Sequence, residues 1–351
     1  MTTTWPSIPY VNTSTNYTDK HGYDDPARFA SLHAKYITIS VSGIIFNVLL
    51  VLLILLSKTL RTTPLFWNIL NLCLYDSVMV MFVIPFGLDY ELNWSWSYGD
   101  WMCKMWFAAD FWHMLMAGIA LTCICADRIF ASIQTVMSIR VKTLRLKSIF
   151  LVMFPWIFLV TVCIPMFVAF EDKESQNPST FCFFQFHEKH MITLACISLA
   201  LPNILLIIAV TIMLSTHILR GGNWRKIPSN RAYADEARLK LSVIAVWVAA
   251  SINLLCWLPV TCVVFFSIIF ESKCKGFTWD EYTNVYLLQV TSSSITPCLW
   301  IILPEVRQEV AIWRRFVSKI MHLRSKTSDS LVPSYQSDTY DDETEIQDNT
   351  N

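Results

Sequence analysis

Residues 36–56 read YITISVSGIIFNVLLVLLILL. No charged side chain interrupts the run, and about 20 predominantly apolar residues are what a helix needs to cross a bilayer's hydrocarbon core. Further runs of this kind bring the candidate spans to seven: 35–57, 66–90, 101–126, 148–170, 190–219, 241–270 and 282–303. The intervals between them are short and polar, such as SKTLRTT after the first span and RGGNWRKIPSNRAYADEARLK between the fifth and sixth. No separate soluble domain fits in them. The 351 residues are 54% hydrophobic and only 15% charged, more apolar than a soluble domain usually is. The expected fold is therefore an all-α membrane protein, a bundle of seven transmembrane helices. Its net charge is zero, with basic residues dispersed among loops. That leaves no basic face of the kind nucleic-acid binding requires.

Orientation follows from the basic residues. Arg128 aside, eighteen Lys and Arg fall on the first, third and fifth connections plus the C-terminal segment, and eight on the opposite side. Positive charge stays on the cytoplasmic side, so the expected C-terminus is inside and the N-terminus outside, in a multi-pass protein of the plasma membrane. The outward tail, 1–34, carries NTS at Asn12 and NYT at Asn16, glycosylation acceptor patterns that fit a lumenal surface. A third match at Asn93 lies close to the membrane, where the glycosylation machinery reaches poorly. The first 30 residues lack the apolar core of a cleavable signal, so the first span is expected to act as its own signal.

After the bundle (35–303), EVRQEVAIWRRFVSKIMHL places Val306, Val310, Trp313, Phe316 and Val317 on one helical face and basic residues on the other. This predicts an amphipathic helix over 304–321 lying on the bilayer surface. No cysteine follows Cys298 to carry a palmitoyl anchor. The remaining tail, 322–351, is acidic and rich in Ser and Thr, and is expected to be disordered. Ser328, Ser330, Ser334, Ser337, Thr339 and Thr344 form a candidate phosphorylation cluster there.

Most of the eleven cysteines fall inside spans, where a small buried hydrophobe is the plain reading. Cys103, at the outer end of the third span, and Cys182, in the loop EDKESQNPSTFCFFQFHEK, both face the oxidising side and are the expected disulfide. Cys274, also outside, has no obvious partner.

An ordered series of motifs runs through the spans: Asn47 in the first, NLCLYD with Asn71 and Asp76 in the second, WSYGDWMC leading to Cys103, and Asp127–Arg128 ending the third. Trp156 and Pro165 follow in the fourth, Pro202 in the fifth, CWLP with Trp257 and Pro259 in the sixth, and TPCLW with Pro297 in the seventh. From about residue 35 to 321 the chain resembles a rhodopsin-like (class A) G protein-coupled receptor. Any one motif is weak, but the ordered set is specific. The resemblance implies a heterotrimeric G protein as partner, arrestin as a further partner of the phosphorylated tail, and no cofactor or enzymatic activity. It implies that Arg128 is held by Asp127 at rest and released when the sixth helix moves outward, with Pro259 and Pro297 as hinges. It further implies a polar cavity around Asp76, lined by Asn47, Ser292 and Ser293, where relatives hold sodium; a hydrogen-bonded polar knot is the alternative. Several positions depart from the pattern: Thr296 replaces the usual Asn or Asp, Ile129 an aromatic, Val210 and Trp300 two tyrosines, and Asn253 a Phe.

One charge remains unexplained by these roles. Asp110, in CKMWFAADFWHM (103–114), lies two helical turns inward of Cys103, about 10 Å along the axis. A carboxylate there needs a cationic partner to stay charged, and no span offers an obvious Lys or Arg at that depth. In the amine-binding branch that the stretch resembles, an Asp at the matching place pairs with the protonated amine of the ligand. The resemblance extends the ligand set to Trp106, Phe111, Met114, Ser198, Trp257, Thr261 and Tyr286, with aromatic faces walling the cation. Val260, Thr261, Leu287 and Val290 stand where that branch usually places aromatics. Two readings stay open at Asp110: a cation anchor, or a carboxylate bonded to Tyr286 or kept protonated. A peptide or lipid receptor of the same fold is the rival function. An opsin needs a lysine in 282–303, which has none, and internal repeats of a transporter are absent. His113, alone in its span, reads as a packed, hydrogen-bonded side chain and not as a metal ligand.

Overall fold

The computed structural model describes residues 26–93, 95–134, 141–164, 182, 188–221, 230–269 and 279–330. Asn12, Asn16, Pro165, Cys274 and the tail beyond residue 330 lie outside the described residues. The chain divides into two compact units, residues 1–307 and 308–351.

The first unit is a helical bundle. Its helices are α1 (Pro26–Leu56), α2 (Pro64–Asn93), α3 (Gly99–Gln134), α4 (Val141–Phe158, extended by a π-helical turn at Leu159–Cys163), α5 (Glu188–Ala195, Cys196–Ala200 and Leu201–Gly221 in continuous sequence), α6 (Asn230–Ile269) and α7 (Trp279–Leu299). Helix is the expected answer to lipid, since every backbone N–H and C=O must find its partner within the segment. Six of these helices are long and apolar enough to cross a membrane, and α4 contributes a shorter apolar stretch, Leu146–Thr161. The expected span 148–170 is thus met over its first part, and 165–170 lie outside the described residues.

The bundle buries a set of polar side chains within its apolar core, and its outer surface is apolar as well. Leu49, Ile207, Ile208 and Leu255 are exposed on its outer surface, whereas Asn47, Asp76, His113, Gln289 and Ser293 are buried. A soluble bundle would cover its outside with polar side chains, whereas lipid removes the penalty on exposed leucine. Helix α3 is central, packing against α2, α4, α5 and α6, while α7 closes against α1 and α6. Polar side chains join the helices. Asn71 donates to the Val152 carbonyl and accepts from Trp156 Nε1, tying α2 to α4. Asn47 donates to the Ser293 carbonyl at 2.9 Å, and Ser294 to the Ile39 carbonyl at 2.7 Å, tying α1 to α7.

Three π-helical turns, Met79–Val83, Leu159–Cys163 and Cys196–Ala200, each end two residues before a proline (Pro85, Pro165 and Pro202). A proline has no N–H to give a carbonyl of the preceding turn, and the turn before it widens so that a backbone bond reaches back five residues, as the Ile84 N–H does to the Met79 carbonyl. At the outer end of α3, Cys103 is bonded to Cys182 with Cα atoms 5.5 Å apart, as expected. Tyr90 and Trp96 are buried beside the pair, with Phe86, Met102 and Trp106 against them.

At its C-terminal end α7 gives way to a single 3-10 turn, Trp300–Ile302. Leu303 is extended, as the residue before a proline prefers, and Pro304 opens α8 (Pro304–Ser330). The amphipathic helix expected over 304–321 therefore runs on to Ser330, because no proline or glycine interrupts the sequence before Pro333. Ser328 and Ser330 of the candidate phosphorylation cluster belong to its last turn by backbone.

Glycines set how closely the helices approach. A Cβ on Gly118 of α3 would lie 2.6 Å from the Pro202 Cβ of α5, and one on Gly43 of α1 would lie 2.5 Å from Val80 Cγ1 and 2.8 Å from Ser294 Oγ. Gly118→Ala should therefore push α3 from α5 and cost about 1–3 kcal/mol of overpacking. Thermal unfolding of the purified protein in lipid nanodiscs reads the loss; an unchanged midpoint would show that the two helices separate freely.

Candidate functional site

The site is a column of polar side chains on the inner faces of α2, α3, α6 and α7. Asp110 and His113 are three residues apart on α3 and so share one face, a turn from each other; Tyr286, Gln289 and Ser293 do the same on α7. At the upper level Tyr286 donates its hydroxyl to Asp110 Oδ1 at 3.0 Å. Among the described residues no lysine or arginine pairs with Asp110. The half-buried carboxylate is thus oriented by one phenol and left without a protein cation.

One turn deeper, His113 Nε2 stands 3.2 Å from Asp76 Oδ1 and 3.0 Å from Ser293 Oγ. Its ring lies 5.7 Å from that of Trp257, whose Nε1 donates to Ser292 Oγ at 3.2 Å. Asp76 is 3% exposed and His113 2%, and His113 is the only basic side chain among the described buried residues. The reading of His113 as a packed, hydrogen-bonded residue agrees with this geometry, but its partner Asp76, on another helix, is not legible from spacing along the chain. Of the four residues expected around one cavity, Asp76 and Ser293 meet through His113, Asn47 reaches the Ser293 backbone, and Ser292 serves Trp257. Sodium prefers oxygen ligands. With an imidazole nitrogen against Asp76 and Thr296 in place of a further carboxyl or amide, the donor set fits the knot of internal hydrogen bonds better than the ion.

The remaining members of the expected ligand set are distributed unevenly. Phe111, Met114 and Trp257 are buried below or beside Asp110. Trp106 donates to the Val83 carbonyl at 2.9 Å and packs 5.4 Å from the Trp96 ring, so it serves the aromatic cluster over the disulfide. Ser198 donates to the Leu194 carbonyl of its own helix. Thr261 donates to the Trp257 carbonyl and accepts from Asn203 at 3.0 Å, bridging α6 and α5. Gln289, fully buried with neither amide atom hydrogen-bonded, was not singled out in the sequence; its spacing from Tyr286 was the available signal. Asn253 is buried with its amide nitrogen likewise unpartnered.

Near the C-terminal end of α3, Asp127 is 2% exposed. Its Oδ2 accepts from Arg128, and Arg128 also donates to Ser242 Oγ of α6 at 3.1 Å. Lys147 of α4 donates to the other carboxylate oxygen at 3.0 Å.

Residues 46–300 match the family described as 7 transmembrane receptor (rhodopsin family). The chain belongs to this family. Its members are receptors, not enzymes, and the bundle, the disulfide and the Asp127–Arg128 pair all stand as in a class A G protein-coupled receptor. Among relatives, the Allatostatin-A receptor of Bombyx mori is 24% identical over 76% of this chain and 74% of its own length. The Octopamine receptor Oamb of Drosophila melanogaster is 27% identical over 45% of this chain and 24% of its own length. The Neuropeptides B/W receptor type 2 of Homo sapiens is 26% identical over 67% of this chain and 70% of its own length.

Removing His113 should leave Asp76 buried without its described partner. His113→Leu is expected to destabilise the receptor by about 1–3 kcal/mol, the cost of an unsatisfied buried acceptor. Adding Asp76→Asn should recover part of that loss, because the orphaned charge is gone. Thermal unfolding of the three variants measures both; a double mutant as damaged as the sum of the singles would dissolve the pairing.

Proposed function

We propose that this class A receptor binds a ligand carrying a protonated ammonium group, a small amine in the first instance, with Asp110 as its anchor. The observation that carries the reading is Asp110 itself: a half-buried carboxylate, fixed at one oxygen by Tyr286 and paired with no lysine or arginine among the described residues. A charge kept in such a place is functional by default, and a cation from outside supplies what the bundle lacks. Phe111, Trp257 and Tyr286 offer aromatic faces around that position. Trp106, Met114, Ser198 and Thr261 would shape the pocket from positions already engaged in packing or helix contacts.

Below the ligand, Trp257 rests against His113, so a ligand bearing on Trp257 also bears on the Asp76 knot between α2, α3 and α7. Such a shift would be passed to the cytoplasmic end through α6, releasing Arg128 from Asp127 and Ser242 to meet the G protein, with Pro259 and Pro297 as hinges. The N-terminus lies outside with Asn12 and Asn16 glycosylated, and the tail, once phosphorylated, is an arrestin site.

A second reading has its own support. The relatives described as peptide receptors align over more of this chain than the octopamine receptor does. A peptide presenting its amino terminus or a basic side chain would satisfy Asp110 by the same chemistry.

Biogenic amines and cationic peptides, screened on cells with a panel of G proteins, separate the two. With the activating ligand in hand, Asp110→Asn keeps size and hydrogen bonding but removes charge, so affinity should fall by roughly 2–5 kcal/mol, or about 30-fold and more. Asp110→Glu should lose less. Surface expression is measured in parallel, and a well-expressed Asn variant responding like the parent would eliminate the cation anchor.

A further inference from the structure

The Asp127 carboxylate is shared by two cations on different helices. Arg128, its chain neighbour on α3, takes Oδ2, and Lys147 of α4 takes Oδ1 at 3.0 Å. The Asp127 side chain is 3% exposed and that of Lys147 16%, so this is an interior contact and not a surface pair. The Lys147 ammonium also lies 5.2 Å from the centre of the Phe130 ring, a second contact that holds it over α3. Arg128 is tied in addition to Ser242 of α6, whereas the described contacts of Lys147 are to α3.

A buried carboxylate stripped of its only cation is strongly unfavourable. If Arg128 were the sole partner, its departure would leave Asp127 in that condition, and the cost would hold the receptor at rest. Lys147 changes the balance. It keeps one oxygen neutralised after Arg128 leaves, and by sharing the carboxylate it weakens the hold on Arg128 beforehand.

We propose that Lys147 is a positioning residue of the coupling switch, retaining Asp127 on α3 and α4 so that Arg128 can be released towards a G protein. This rests on the reading of Arg128 as the coupling residue. Its sign is opposite to that of a simple restraint: removing Lys147 deepens the resting state.

The test uses the full-length receptor in lipid nanodiscs, with receptor-catalysed nucleotide exchange on a panel of purified G proteins. Lys147→Met should lower exchange by about fivefold or more, the scale of an ordinary two-state coupling. Lys147→Arg, which keeps the charge, should restore most of it. In an Asp127→Asn background the Lys147→Met change should make no difference, because there is no charge left to share. Exchange that rises or stays level in Lys147→Met, or that falls equally in both backgrounds as a misfolded protein's would, overturns the proposal. A fluorine probe at the cytoplasmic end of α6 reports the outward fraction in the same variants. Should the parent catalyse exchange on no G protein, the coupling reading fails, and the probe alone then decides whether Lys147→Met lowers that fraction as proposed or leaves it unchanged.

Discussion

A carboxylate inside a membrane bundle has no water to stabilise it, so its position is decided by the partner it finds. Three of them line α2 and α3 in this receptor, and each is met differently. Asp76 faces a histidine and, through it, a serine of α7. Asp127 is divided between two cations. Asp110 has a single phenol. The fully partnered groups join helices to one another, and the under-partnered one is the group on which the proposed ligand contact rests.

These contacts also explain why the bundle is tight where it matters. Gly43 and Gly118 let α1 and α5 approach their neighbours to distances at which a methyl group would collide. Close approach brings Asn47 within hydrogen-bonding distance of the α7 backbone. Small residues at the interface and polar bonds across it replace the hydrophobic drive that lipid cannot supply. The widened turns before Pro85, Pro165 and Pro202 re-pair the backbone where proline offers no N–H to the preceding turn.

The column from Asp110 to Asp76 joins the Tyr286 level of the bundle to its core through ordinary contacts. Trp257 is shared between Ser292 of α7 and the ring of His113, so movement of α6 disturbs both. Gln289 and Asn253 add buried amides without described partners for one or both of their polar atoms. Such groups cost stability where they stand, and they mark the regions in which an alternative packing would be least unfavourable.

The sequence by itself determined the architecture. Run length and polarity leave a chain such as 36–56 one solution in lipid, and the Cys103–Cys182 pair and the Asp127–Arg128 pair were legible from where those residues lie relative to the spans. A helix after Pro304 was legible too, although its end at Ser330 was not, because amphipathic spacing fades before helix propensity does. Tertiary structure decided the partners. That His113 serves Asp76, that Lys147 of α4 reaches Asp127, and that Ser198 and Thr261 spend their hydroxyls within the bundle depends on how helices far apart in sequence turn against one another. A period of 3.6 residues fixes which side chains share a face, but the rotation and depth of the facing helix come from packing all seven together.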